Sequence, residues 1–403
     1  MQPTKKCLVI VCAQFYPVKH IAAFRMNALV KYWDHQNFDI SVYCYGDTET
    51  QIEYEGAKVF VLSGSAWIKL RQQQPGMPTW KHKLYSLNNR IVRYFSKNDY
   101  PGWSKNVLRS IKQNQAKIDV LFTSFSPVDA HFVGLELKRN FTSCYWIADM
   151  RDEMSMNQML NEGDRLYYRK IEEEIGLSAD LVTAVSKPIL DGFQAIFKST
   201  TCQFLEIRNG FDHDFHPVKV QNEWFTFVYA GTFYGKRKPD VFFKALSELK
   251  SNNELPDQWK IQFIGTHRNF SISQEFLPHV EFIPQISNEE VVGYLSVSDC
   301  QLLIHPPSAA KGIFTGKIFD YLSVERPILG IVDPKDVAAE LIKSCEAGFI
   351  ADFNSAQEIS TGIRKCIQVW KGEESLSYNH AEIQSLHRKH QVQKLVTFVR
   401  GNL

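Results

Sequence analysis

A chain of 403 residues is too long for one compact domain of ordinary size and suits two of about 200 residues each. With 44% hydrophobic and 22% charged residues, the composition excludes disorder, collagen and coiled coil. A formal net charge of +2 gives no global pull toward nucleic acid or membrane.

The first apolar run, CLVIVCAQF (7–15), follows Lys5 and Lys6 as the core of a signal peptide would. It is short, stops at Pro17 and lacks a small-residue cleavage site, so it reads as a buried first strand. Further runs follow at 38–45, 57–62, 118–124, 143–149, 181–185 and 203–207, and then at 225–230, 259–264, 279–283, 299–304, 326–331 and 347–351. They are apolar on both faces, as strands of a parallel sheet covered by helices must be. Between them lie amphipathic stretches such as IAAFRMNALVKYW (21–33), with apolar residues at three- and four-residue spacing. Strand and helix alternating twice over predict two doubly wound α/β domains.

The predicted boundary lies in RNGFDHDFHPVKVQNEW (208–224), which has turn residues at Asn209-Gly210, a proline at Pro217 and no periodicity. This gives a first domain over 1–208 and a second that begins at 209. Residues from about 381 to 403 read as one helix. Eight cysteines, at 7, 12, 44, 144, 202, 300, 345 and 366, form no CxxC pair and mostly sit in apolar runs. That argues against a zinc site or a disulfide framework and for a reducing compartment. No stretch approaches the roughly 20 apolar residues of a membrane span. The expectation is a cytoplasmic protein.

Residues 64–118 break the pattern. They hold eleven Lys or Arg against one acid, Asp99, together with Trp67, Trp80, Tyr85, Tyr94, Phe95, Tyr100 and Trp103. The stretch reads either as a solvated insertion or as a patch for anionic lipid headgroups or a phosphate-bearing acceptor, with the aromatic residues at the interface. Nothing in it matches a nucleic-acid-binding module.

The segment richest in chemistry is HPPSAAKGIFTGKIFDYLSVERPILGI (305–331), a small-residue loop, a helix of about ten residues and a further strand. Thr315 is the candidate N-cap, and Gly312 and Gly316 let the backbone approach a ligand. A helix N-terminus with free amides suits a diphosphate. Lys317 in the first turn can reach a phosphate oxygen. Asp320, three residues on and on the same face, suits ribose hydroxyls. The blander alternative is a capped surface helix with an ordinary Lys-Asp pair. YAGTFYGKRKPDVFFKAL (229–246) adds a strand ended by Gly231 and a turn crowded by Lys236, Arg237 and Lys238, cations suited to the same diphosphate.

Several segments, taken in order, resemble the retaining GT-B glycosyltransferases of the family-4 type that build bacterial polysaccharides. They are FYPVKHIAAFR (15–25), SFSPVDAHFVGLELK (124–138), YWIADMRDEM (145–154), IEEEIGLSADLVTAVSKPI (171–189), IRNGFD (207–212), YAGTFYGKRKP (229–239) and FTGKIFDYLSVERPIL (314–329). The resemblance implies a GT-B fold, two Rossmann-like α/β domains facing across a cleft, with the second domain ending at 384 and the C-terminal helix, within 385–403, crossing back to complete the first. It implies that Arg237, Lys317 and the Gly316 amide, with Thr315 and Gly231 beside them, bind the donor diphosphate and that Asp320 binds the ribose. Asp149, Arg151 and Asp152, at a strand end, would orient acceptor or sugar, and His20 on the opening loop is a further active-site candidate. His131, on a helix after a strand, suits a packed or capped role better.

The chain departs from the pattern at three places. Gly312 stands where the family has its first Glu, with Lys311 beside it. The opening loop has Lys19, His20, Ile21 and Ala22 in place of paired glycines, and Glu325 replaces the glycine before the proline. Asp212 and Asp214 form a DxD, a metal signature of a different transferase fold, which the family's own NG-x-D pattern explains at Asp212. No metal or cofactor is expected.

The function implied is transfer of a sugar from a nucleotide-diphosphate sugar, UDP-linked by preference, to a glycan or lipid-linked glycan. A peripheral contact with anionic membrane through 64–118 goes with it. A nucleotide-sugar epimerase of the same fold and a non-catalytic glycan- or nucleotide-binding partner subunit are the alternatives.

Overall fold

The computed structural model describes residues 5–18, 21–65, 99–197, 201–214, 221–235, 237–307 and 311–403. His20, Lys236 and most of the basic stretch 64–118 lie outside the described residues. The chain divides into two units, Met1–Arg208 with Val392–Leu403, and Asn209–Gln391.

The first unit is built on an eight-stranded sheet. Its strands are β1 (Lys6–Val11), β2 (Phe38–Tyr45), β3 (Thr50–Tyr54), β4 (Ala57–Leu62), β5 (Val120–Phe125), β6 (Tyr145–Met150), β7 (Leu181–Ala184) and β8 (Gln203–Glu206). They are ordered β3-β4-β2-β1-β5-β6-β7-β8, all parallel except the β3–β4 pair. Successive residues of β1 enter opposite layers, as the pleat requires. Val9 and Val11 pack with Trp103, Trp146 and Phe193, while Leu8 and Ile10 pack with Met26, Trp33 and Ile40.

The second unit has a six-stranded sheet ordered β11-β10-β9-β12-β13-β14, wholly parallel. Its strands are β9 (Phe225–Ala230), β10 (Trp259–Ile264), β11 (Val280–Ile283), β12 (Cys300–Ile304), β13 (Ile328–Val332) and β14 (Gly348–Asp352). The runs expected at 38–45, 57–62, 225–230 and 259–264 are strands residue for residue.

Two local expectations are corrected. The strand β3, TQIEY, was not foreseen, because it lies at the sheet edge with an exposed, mostly polar pattern. It is joined to β4 through Glu55 and Gly56, both at positive φ (50° and 77°), the geometry of a tight hairpin turn. The single helix expected over 381–403 is two, α11 (His380–Ser385) and α12 (Arg388–Arg400). Between them His387 bridges Phe211, and the Arg388 N–H donates to the Phe211 carbonyl at 2.9 Å. Gly210 lies against this break, where a Cβ would sit 1.9 Å from the Leu386 carbonyl oxygen. That pairing holds 385–391 to the second unit, so the return begins at Val392 rather than 385. Val392, Leu395, Val396 and Val399 of α12 then cover the Leu8–Ile10 face of the first sheet.

All eight cysteines are free, and seven are buried. Among the described residues no helix is long and apolar enough to cross a membrane.

On α3 (Asp129–Asn140) Gly134 lets the indole of Trp146 approach; a Cβ there would lie 2.4 Å from the ring. Gly134→Ala therefore overpacks the core and is expected to cost about 1–3 kcal/mol, read as a lower urea midpoint. An unchanged midpoint would mean that this helix and β6 can part without loss.

Candidate functional site

The carboxyl ends of β9 and β12 and the start of α8 (Lys317–Ser323) bring three nitrogenous side chains together. Gly231 follows β9 directly. Its N–H donates to the Ile264 carbonyl at 2.8 Å and its φ is +111°, a conformation that favours glycine. A Cβ at Gly231 would lie 3.0 Å from Lys317 Nζ, so the missing side chain makes room for the ammonium. Nζ stands 3.8 Å from the centroid of the Tyr229 ring, a cation–π contact. The Nζ atom is buried and has no hydrogen-bond partner among the described residues. Burial, with the charge of Arg237 second, pushes its pKa well below the ordinary lysine value.

Arg237 is buried as well, at 7% exposure. Its Nη2 donates to His305 Nδ1 at 2.5 Å, and the guanidinium lies 4.8 Å from the Tyr234 ring centroid. Its Nε is buried without a partner among the described residues. Burial first, then Arg237, lowers the His305 pKa to about 4, with Asp336 opposing and Lys317 adding a little. No carboxylate of the described residues forms a salt bridge with either cation. Two buried cations with open donors are complementary to an anion, because an unpaired charge in low dielectric is costly until a counter-charge arrives.

Asp320, on α8, is half-buried. Burial raises its pKa to about 6, against the charge of Arg388 and a hydrogen bond from Asn288. It does not pair with Lys317. Thr315 does not cap the helix: α8 has seven residues, not about ten, its N-cap is Gly316 in right-handed conformation, and no side chain caps it. The turn starts earlier, with the Ile318 N–H donating to the Thr315 carbonyl at 3.1 Å, which leaves the Thr315 side chain buried. Gly312, where the resemblance places a Glu, has φ +93° and donates its N–H to Asp336 Oδ1 at 3.0 Å. Lys311 pairs with Asp333. Glu325, in the glycine position, has φ +50° and accepts from His380 Nδ1 at 2.7 Å.

In the first unit Asp149 is not a ligand-facing group. Its carboxylate is fully buried. Arg25 grips it through Nη2 at 2.7 Å and Nε at 3.2 Å, and Ser124 and Thr183 each donate at 2.8 Å. Burial raises its pKa, but the Arg25 charge and these bonds outweigh it, so the net shift is downward. Arg25 also donates to the carbonyls of Ile207 and Arg208 at 3.0 and 3.3 Å, tying the segment just after β8 to the first helix. Arg151 is likewise committed to backbone, donating to the carbonyls of Phe125 and, at 2.9 Å, Ser126. Of the three residues expected to orient sugar or acceptor, Asp152 alone is exposed. His20 lies outside the described residues. His131 is buried, with Nδ1 2.7 Å from Thr123 Oγ1, a packed position. Asp214 is 98% exposed, and no cluster of three or more metal-ligating side chains occurs among the described residues.

His305 and Tyr229 were not singled out from the sequence. The usable signal was position: His305 immediately follows β12, and Tyr229 sits one residue before the end of β9.

Residues 212–382 match the family model described as glycosyl transferases group 1. No curated protein matches the chain. Among solved structures, the chain is similar to sucrose-phosphate synthase from Thermosynechococcus elongatus, with a TM-score of 0.66, 14% identity, and coverage of 98% of this chain and 99% of that one. It is similar to the Anabaena protein HepE in complex with UDP-glucose, with a TM-score of 0.62, 13% identity and coverage of 98% and 100%. The lipopolysaccharide outer core galactosyltransferase WaaB, in its apo form, gives a TM-score of 0.59, 13% identity and coverage of 99% and 100%. At such identities the likeness shows the fold, that of the GT-B glycosyltransferases.

The Arg25–Asp149 pair yields a stability test. Arg25→Met leaves a buried carboxylate without its cation and is expected to cost about 3–5 kcal/mol at pH 7, measured by urea unfolding. Because the folded pKa of Asp149 is depressed, the pair's contribution is present above the ordinary carboxyl pKa of about 3.9 and disappears as pH falls through the lowered value. The gap between variant and wild type should therefore narrow in acid. A pH-independent gap would assign the loss to packing alone.

Proposed function

We propose that the protein is a metal-independent glycosyltransferase. It moves a sugar, with retention at the anomeric carbon, from a UDP-linked donor to a glycan or lipid-linked glycan in bacterial surface polysaccharide synthesis. The observation that carries this reading is the pair of buried cations, Arg237 and Lys317, that find no counter-charge among the described residues. They lie inside the segment matched by the glycosyltransferase family model. HepE, a protein of similar fold, is in complex with UDP-glucose, and this supports a nucleotide sugar as donor. Retention and the polysaccharide role come from the resemblance of the motifs.

The chemistry follows from charge. When the bond from the anomeric carbon to the diphosphate breaks, negative charge builds on the departing oxygen. Cations already fixed in a dry pocket meet that charge without reorganising, and so bind the transition state better than the ground state. Arg237 would grip phosphate oxygens in a bidentate way and Lys317 would meet one as a point charge. The Gly316 amide would add a neutral donor, and Gly231 would keep the approach open. Asp320 would accept from ribose hydroxyls. These two cations would carry the charge that a divalent ion carries in other transferases, so chelation should leave turnover unchanged.

In the first unit, α2 (Trp103–Asn114) exposes Lys105, Arg109 and Lys112, spaced four and three apart on one face. That basic face supports a peripheral contact with anionic lipid at the cytoplasmic side of a membrane. A non-catalytic nucleotide binder is the second reading, favoured by Gly312 in place of the acidic residue. Incubation with donor and acceptor panels separates the two, since a binder yields no product.

The cations make opposite demands on stability and binding. Lys317→Met removes an uncompensated buried ammonium, so the ligand-free variant should melt at or above the wild-type temperature. It should lose the thermal shift given by UDP and at least about tenfold in turnover, as should Arg237→Ala. Wild-type rates in both variants would remove the pocket from the mechanism.

Asp320 gives a pH test. With its pKa raised to about 6, it is ionised above that value and protonated below it. Uridine, which carries no phosphate to titrate, should bind more tightly as pH rises through 6, and Asp320→Asn should abolish that dependence. A flat wild-type profile would detach Asp320 from the nucleoside.

A further inference from the structure

The second unit contains a histidine that neither the motifs nor the family match assigns. His305 continues β12 at its carboxyl end, and its N–H donates to the Ile331 carbonyl at 3.0 Å, extending the pairing with β13. Its backbone is thus fixed by the sheet. Its ring reaches Arg237 Nη2 at 2.5 Å through Nδ1. A guanidinium only donates, so Nδ1 must hold a lone pair and the ring proton must sit on Nε2. Arg237 itself comes from a turn, with its N–H donating to the Tyr234 carbonyl at 3.0 Å. A turn alone is a loose mount for a side chain with four rotatable bonds. The Tyr234 ring at 4.8 Å supports one face of the guanidinium, and His305 fixes one edge.

We propose that His305 is a positioning residue for Arg237: its neutral imidazole accepts from Nη2 and sets the plane in which the guanidinium meets the anion. The inference rests on reading this pocket as a diphosphate site. Neutrality is built in by the surroundings. Among the described residues, Arg237 and Lys317 face the ring with positive charge and Asp336 with negative, and burial is the largest influence, so the pKa falls to about 4. A protonated ring would set donor against donor and add a third cation to two that are already unpaired. Arg237 Nε is buried and has no acceptor among the described residues.

Double-mutant analysis with UDP and uridine as probes tests this. His305→Leu keeps the bulk of the ring and removes the acceptor; His305→Asn keeps an acceptor where Nδ1 stands. UDP affinity should fall about tenfold in His305→Leu, with uridine affinity unchanged, and stay within roughly threefold of wild type in His305→Asn. In an Arg237→Ala background the further change His305→Leu should cost less than about twofold, because the residue acts through the arginine. The proposal is overturned if His305→Leu weakens uridine and UDP equally, if His305→Asn is as weak as His305→Leu, or if the two losses add. It is overturned alone if His305→Leu binds UDP as wild type does while Arg237→Ala is weak. If Arg237→Ala also binds UDP normally, the diphosphate reading of the pocket falls with it.

Discussion

The ammonium of Lys317 is the constraint on which the rest of the second unit depends. It is held in a buried position against the face of Tyr229, beside Arg237 and without an acceptor among the described residues. Such an arrangement opposes folding, since two like charges have been taken out of water without compensation. Three features make it possible. Gly231 leaves the space a Cβ would fill, the tyrosine offers the negative face of its ring, and His305 stays uncharged. A fold retains local strain of this kind where a ligand relieves it.

The first unit shows the opposite outcome for similar residue types. Asp149 also ends near the carboxyl edge of a parallel strand, yet Arg25, Ser124 and Thr183 saturate its two oxygens. Nothing is left over for a substrate. The pair instead joins β6 to α1 (Ile21–Tyr32) and to the backbone at 207–208, a mechanical role. Charge at a strand end therefore does not identify a ligand group; the count of unmade hydrogen bonds does.

Much of the architecture was legible because parallel strands must be apolar on both faces, and runs such as 225–230 can hardly be anything else. The edge strand β3 escaped because TQIEY is half solvated and carries no such run. The break between α11 and α12 escaped because its cause is Phe211, distant in sequence, rather than a local glycine or proline. In the candidate site, Lys317 and Gly231 could be named from the strand, turn and helix pattern, since short loops after strands converge at one end of a sheet, whereas that pattern offers Lys236, Arg237 and Lys238 alike and only the family resemblance singles out Arg237. Asp149 lies on the strand expected of it, but whether a polar side chain is spoken for depends on partners far away in sequence, such as Arg25, and no local pattern reports that. Thr315 lies ahead of the helix, which starts only at Lys317, a boundary the local pattern does not mark.

The last helix has a consequence for biogenesis. The apolar layer formed by Leu8, Ile10, Ile40 and Val42 is sealed by Val392, Leu395 and Val399. On a ribosome, which releases the chain from its amino end, those sealing residues emerge only after the entire intervening unit has been made. Until then the nascent first lobe carries a sticky, half-finished flank. A chaperone that shields it, or a second lobe that folds quickly, would decide whether translation ends in a native molecule or in clumped ones.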